Sequence, residues 1–202
     1  MRKVEDADAS MSSRSDFVAL DCEMVGVGVG RQSALARCSV VDYHGNVKLD
    51  CYVKPDKKIT DYRTRYSGIL PFHMKNAITF KEARTKVKRL LKKKHLVGHS
   101  IGNDLKILQL RHDPLKIRDT SQFPPLRLMA GLPICKTPSL KNLSKALFNK
   151  DIQSNVHCSI EDSRTAMNLY KLVEDKWELQ GASGSDRCYL DDVFWPDFIN
   201  MN

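Results

Sequence analysis

Residues 17–24 read Phe17-Val-Ala-Leu-Asp21-Cys-Glu23-Met24. A short apolar run closed by a carboxylate has the composition of a buried strand, which here ends at Asp21. Side chains alternate along a strand, so Asp21 and Glu23 share a face and Cys22 points the other way, toward a core. Two neighbouring carboxylates raise each other's pKa unless a cation lies between them. Mg²⁺ or Mn²⁺ suits that place, because hard cations take oxygen ligands. An isolated Asp-x-Glu is more often a turn cap beside a solvated Glu, so the pair alone carries no function.

Working outward, Ala34–Asp42 and Val47–Val53 read as two more strands, joined by the turn signal Tyr43-His44-Gly45-Asn46. Pro55–Gly68 reads as a loop. Thr79 with Glu82 makes a capping-box start for a helix carrying Phe80, Ala83, Val87, Leu90 and Leu91 on one face. Leu96–Gly98 is a strand leading into a helix near Ile101–Leu110, and Lys116–Asp119 is a further strand. Phe123–Lys136, rich in Pro, reads as a loop or lid. Thr137-Pro138 opens a helix bearing Leu140, Leu143 and Leu147. Ser159 to about Leu179 is a long helix with Ala166, Leu169, Tyr170, Val173 and Trp177 on its apolar face. The sum is an α/β architecture, a mixed β-sheet flanked by helices.

Two further acids sit at such boundaries. Asp104 falls just inside the helix after Leu96–Gly98, where ligands of α/β sheets gather, although an Asp there also suits a helix N-terminus. Asp162 lies three residues after Ser159 and would also serve as its capping partner. His157 precedes that helix on a loop. Together Asp21, Glu23, Asp104, Asp162 and His157 could converge on one site. Two divalent ions would stabilise the attacking and leaving oxygens of an in-line phosphoryl displacement, and His157 is suited to take a proton from water. The chemistry implied is metal-dependent phosphodiester hydrolysis.

The 202 residues carry 33 Lys plus Arg against 24 Asp plus Glu, for a net charge of +9. That length fits one domain, here residues 16–180, with a flexible lead-in at 1–15 and an acidic, aromatic tail at 181–202. The tail holds four Asp against one Arg, which leaves the 16–180 body at +12. The tail is read as docking on that body, as binding a protein partner, or equally as a disordered end. No apolar segment is long enough for a membrane span, and the polar start gives no signal segment. Six cysteines without a Cys-x-x-Cys pair read as reduced thiols of an intracellular protein, nuclear, nucleolar or cytoplasmic.

Other features have plainer readings beside them. Residues 81–94 hold eight Lys or Arg and one Glu, a phosphate-tracking face or, slightly favoured, a solvated one. Tyr62-Arg63-Thr64-Arg65-Tyr66 interleaves rings and bases like a nucleic-acid groove. Gly26, Gly28 and Gly30 lack the dinucleotide spacing and read as a flexible loop beside the site. His95 and His99 lie on a strand-turn, where a zinc site is disfavoured.

The same motifs resemble a known family. Asp21-Cys-Glu23-Met24-Val-Gly, Leu35-Ala-Arg37-Cys-Ser, Asp61-Tyr-Arg63-Thr-Arg65-Tyr-Ser-Gly68, Val97-Gly-His99 with Asn103-Asp104, and His157-Cys-Ser-Ile-Glu-Asp162 occur in order over residues 16–178. The series resembles the DEDDh 3′–5′ exonucleases, in the branch of interferon-stimulated and apoptosis-enhancing nucleases. The resemblance implies an RNase H-like fold and release of nucleoside 5′-monophosphates from 3′ ends of single-stranded RNA, DNA or both, by a monomer. By position, Asp21, Glu23, Asp104 and Asp162 would hold two Mg²⁺ or Mn²⁺, and His157 would be the general base. Met24 and Arg63 match positions that contact the 3′-terminal nucleotide and its 2′-hydroxyl. His99 and Asn103 are further substrate-binding candidates. Leu105, Cys158 and Ser163 depart from the family pattern without touching the chemistry. The competing classes are a nuclease of different polarity and a non-catalytic RNA-binding protein on a nuclease-like fold.

Overall fold

The computed structural model describes residues 13–133, 136–154 and 156–183, without the side chains of 180–183. A seven-stranded sheet runs in the order β5-β3-β2-β1-β6-β7, with β4 pairing β1 off that path. Its strands are β1 (Phe17–Val27), β2 (Gln32–Asp42), β3 (Val47–Lys54), β4 (Ile59–Asp61), β5 (Ile78–Thr79), β6 (His95–Gly98) and β7 (Ile117–Asp119). The first three form an antiparallel meander, while β6 and β7 add in parallel. The expected mixed sheet flanked by helices is therefore present.

β1 does not stop at Asp21. It continues through Val27 because β2 pairs with it from Val18↔Asp42 to Val27↔Gln32, so Asp21 and Glu23 lie mid-strand. The glycine run is the tight turn of that hairpin, not a loose loop: Gly28 and Gly30 take φ of 60° and 89°, the left-handed region that Gly enters without steric cost. β6 pairs with β1 only over Phe17–Ala19, and β4 joins only at Gly26 and Val27. Among the described residues, the stretch of β1 carrying both acids thus has no strand on that edge.

The alternation of β1 sorts the helices. Val18, Leu20 and Cys22 pack with α2 (Phe80–Leu91) and α3 (Gly102–Ile107) through Ala83, Val87, Ile101 and Leu105. Phe17 and Ala19 pack on the other face against Ala166, Met167 and Tyr170 of α6 (Ser159–Ser183). Asp21 and Glu23 share the α6 face, and the basic α2 lies across the sheet from them.

Several elements differ from the expectation. The 55–68 segment contains β4 and the one-turn α1 (Thr64–Ser67). The helix after β6 ends early, at Ile107, with Gln109 at φ 53°. The supposed lid carries α4 (Pro124–Met129), with Pro at its first turn, Leu126 buried, and Phe123 stacked on Trp177 at 3.9 Å. It belongs in part to the core. Thr137-Pro138 does not open the next helix; α5 (Leu140–Phe148) is capped by Ser139, whose side chain accepts from Asn142 N–H. α6 continues to Ser183, past the expected body boundary. Residues 1–12 and 184–202 lie outside the described residues, and with them most of the lead-in and the tail. Cys22, Cys38, Cys51 and Cys158 are free thiols, the first two buried. Among the described residues, no helix is long and apolar enough to cross a membrane.

Candidate active site

A cavity of about 400 Å³ opens where β1 faces the start of α6. Its walls include Asp21, Cys22 and Glu23 from β1, His99 and Ser100 after β6, Thr137–Leu140 before and into α5, and Gln153, His157 and Asp162. Glu23, His157 and Asp162 each offer a ligand atom within 4.8 Å of the others. His157 Nδ1 is 3.7 Å from Asp162 Oδ2. Asp104 does not line the cavity. It is buried behind it and takes hydrogen bonds from Cys22, on the stretch of β1 that β6 leaves open.

The capping alternative for Asp162 fails on geometry. Ser159 is fully buried, with its hydroxyl 2.6 Å from that of Ser39 on β2, so it does not cap α6 toward Asp162. The Asp162 carboxylate takes the Gln153 side chain instead.

The electrostatics are those of acids crowded out of water. Burial first, then Asp104, Asp162 and Glu23, push Asp21 well above the carboxylate range. Burial and Asp162 carry Glu23 up to about 8, against the opposing pull of Arg37. Burial lifts Asp104 to about 7 against hydrogen bonds from Cys22, and Asp162 to about 6 against the Gln153 amide. Such a set ionises fully only with a cation among it. Glu23 Oε1 and Asp162 Oδ1 are moreover buried without a hydrogen-bond partner. Buried carboxylate oxygens lacking donors, beside an imidazole, fit a divalent metal. His157 is the complement: burial and then Lys141 hold its pKa below the usual value, which keeps the ring neutral near pH 7 and able to accept a proton.

The substrate-binding candidates are dispersed. His99 is on the cavity wall with both ring nitrogens engaged, Nδ1 3.0 Å from Thr120 Oγ1 and Nε2 3.0 Å from the Pro138 carbonyl. Burial holds its pKa down, and Nε2 donates to the Pro138 carbonyl, which has no proton to give. It thereby ties the strand end to the segment before α5. Met24 packs against the core under α2 and α3. Arg63, at φ 50°, donates to Ser33 Oγ and the Arg31 carbonyl at the β1–β2 hairpin. Asn103 is exposed on α3. None of these last three lines the cavity.

Three supporting residues escaped sequence reasoning. Arg37 stands opposite Glu23 in the β1–β2 register, forms a two-pronged pair with Asp50, and reaches Cys158 beside His157. Asp119, ending β7, accepts from the N–H groups of Ser100, Ile101 and Ser121 and from the Ser121 hydroxyl. It pins the turn between His99 and α3. Gln153 contacts Asp162 across nine positions of sequence. Arg37 lies inside a quoted motif; the other two carry no local signal.

A model of the RNase T family, described as Exonuclease, matches residues 18–170. The apoptosis-enhancing nuclease of Homo sapiens is 43% identical over 213 residues, covering 97% of this chain and 66% of that protein. The Homo sapiens interferon-stimulated 20 kDa exonuclease-like 2 is 50% identical over 173 residues, covering 84% and 49%. The chain thus spans about half to two thirds of these relatives. Among solved structures, the Saccharomyces cerevisiae Pan2 pseudoubiquitin hydrolase–RNA exonuclease module in complex with AAUUAA RNA aligns with a TM-score of 0.69 at 29% identity, over 87% of this chain and 31% of that one.

Proposed function

The chain belongs to the RNase T exonuclease family, on an RNase H-like α/β fold, and from that premise we propose that it shortens single-stranded RNA from its 3′ end. Each turn releases a nucleoside 5′-monophosphate in the DEDDh manner, and DNA is a second possible substrate. One observation carries the reading: Glu23, His157 and Asp162 converge at one cavity, with two buried carboxylate oxygens unpartnered.

Asp21, Glu23, Asp104 and Asp162 would hold two Mg²⁺ or Mn²⁺. When bound, these ions supply charge stabilisation to the attacking and leaving oxygens of an in-line displacement. His157, neutral and at the edge of the set, takes the proton of the attacking water as the water oxygen bonds to phosphorus. The bond from phosphorus to the 3′-oxygen of the preceding nucleotide breaks, and that oxygen takes a proton from solvent to become the new 3′-hydroxyl. Arg37 offsets part of the carboxylate charge from the neighbouring strand. The RNA-bound Pan2 module supports an RNA substrate by likeness.

The test is a 5′-labelled single-stranded RNA incubated with Mg²⁺ or Mn²⁺, with product lengths followed in time. Stepwise shortening from the 3′ end is the expected result. Internal cuts, or no cleavage at all, would overturn it. A DNA strand of the same sequence reports sugar preference, and Asp104→Ala should abolish turnover.

A further inference from the structure

We infer that Gln153 is a positioning residue that orients the Asp162 carboxylate for the metal ion, an inference resting on the metal-binding reading above. Gln153 lies in the connection between α5 and α6 and lines the cavity with His157 and Asp162. Its Nε2 donates to Asp162 Oδ2 at 2.7 Å. The acceptor is a carboxylate, so the amide nitrogen and not its oxygen must face it. Oδ2 is thereby occupied on one side by Gln153, with His157 Nδ1 3.7 Å away. Oδ1 is the oxygen left buried and unpartnered. The amide therefore fixes which of the two oxygens is available to a cation.

The backbone at this position is strained as well. Gln153 has φ 53°, a left-handed conformation that Gly or Asn adopts far more readily than Gln. Such strain persists where the surroundings over-determine it. The surroundings do so here. Ser144 Oγ donates to the Lys150 carbonyl at 2.9 Å, and Ile152 is buried among Leu126, Leu143 and Leu169. Lys150 pairs with Glu161 of α6 at 2.9 Å. Anchored through Lys150 and Ile152 just before it, residue 153 is held within reach of Asp162, and the Gln amide spans that gap with a donor. Groups that hydrogen-bond to a metal-ligating carboxylate typically govern metal affinity or activity by about 10–100-fold.

The variants Gln153→Asn and Gln153→Gly separate this role from a merely structural one. Both tolerate the left-handed backbone; Asn keeps an amide one methylene too short, and Gly has none. Mn²⁺ binding is measured by titration calorimetry on the full chain, beside thermal unfolding in EDTA and steady-state RNA cleavage. The expected result is about a 10–100-fold weaker Mn²⁺ dissociation constant, a fall in kcat with KM for RNA little changed, and melting in EDTA close to that of the unsubstituted chain. Lowered melting with Mn²⁺ affinity within twofold of the unsubstituted chain would overturn the inference and leave the metal site standing. Absence of any Mn²⁺ binding by the unsubstituted chain would overturn both.

Discussion

His157 N–H donates to the Tyr66 carbonyl at 2.8 Å, so the one-turn helix α1 fixes the loop that carries the imidazole. Gly68 ends α1 at φ 65°, and a Cβ there would meet the His157 carbonyl at 3.2 Å. Gly68→Ala should therefore cost on the order of 1–2 kcal/mol in unfolding experiments and also lower turnover, since the displaced backbone is that of residue 157. The imidazole is 39% exposed and pairs only loosely with Asp162, so it contributes little to stability. His157→Ala should lower kcat by about 10²–10⁴-fold while melting stays unchanged. A variant retaining full turnover would remove His157 from the proposed role. At this scale the five residues could be singled out because a short motif surrounds each, although Asp21 and Glu23, read at a strand end, lie mid-strand in the fold. Arg63 illustrates what could not be read. Its motif suggests a nucleotide contact, yet in the fold its guanidinium serves Ser33 and Arg31, partners about 30 positions away.

At the scale of elements, Asp119 and Thr79 make opposite predictions. Asp119 is buried and satisfies four donors around the turn that sets His99 and the start of α3. Asp119→Ala leaves those donors without an acceptor, at about 1–3 kcal/mol for each one that stays buried. Loss of stability together with loss of turnover is the expected pair of outcomes, read by denaturant unfolding and RNA cleavage. Thr79 caps α2 by accepting from Glu82 N–H, on the face of the sheet remote from the cavity. Thr79→Ala should cost about 1 kcal/mol of stability and leave kcat unaltered. α2 was legible because its cap and its 3.6-residue period are both local. The length of β1 was not: its second half is held by pairing with β2, and an acid-bearing segment gives no local sign of that partner.

For the whole molecule, charge acts in two places. The basic face of α2 and the acidic cavity lie on opposite sides of the sheet, so the two do not neutralise each other locally. Structural ion pairs set the acid limit. Asp50 is held below the carboxylate range by the Arg37 guanidinium and the Ser39 hydroxyl, which outweigh its burial. A carboxylate lowered on folding stabilises the native state above its unfolded pKa, about 4, and that contribution is lost as pH falls through the lower folded value. Thermal midpoints should thus drop on acidification below about pH 4, and less steeply in Asp50→Asn. Divalent ions act the other way on the cavity. A ligand that binds only the native state stabilises it by about 2.7 kcal/mol at 100 times its dissociation constant. Mn²⁺ should accordingly raise the melting temperature at neutral pH, with Glu23→Gln blunting the rise. Equal shifts in both proteins would place the ion elsewhere.

By itself the sequence determined the α/β class, most of the long elements and the motifs around the candidate site residues, because periodicity, caps and short motifs act within a few positions of one another. Only the tertiary structure decided which faces meet. It put Asp21 and Glu23 on the α6 side of the sheet, left their stretch of β1 free of a strand neighbour, and brought Gln153 and Arg37 against the acids. Those contacts join residues far apart in the chain through sheet order and loop anchoring, and side-chain pattern along the chain carries no record of such distances.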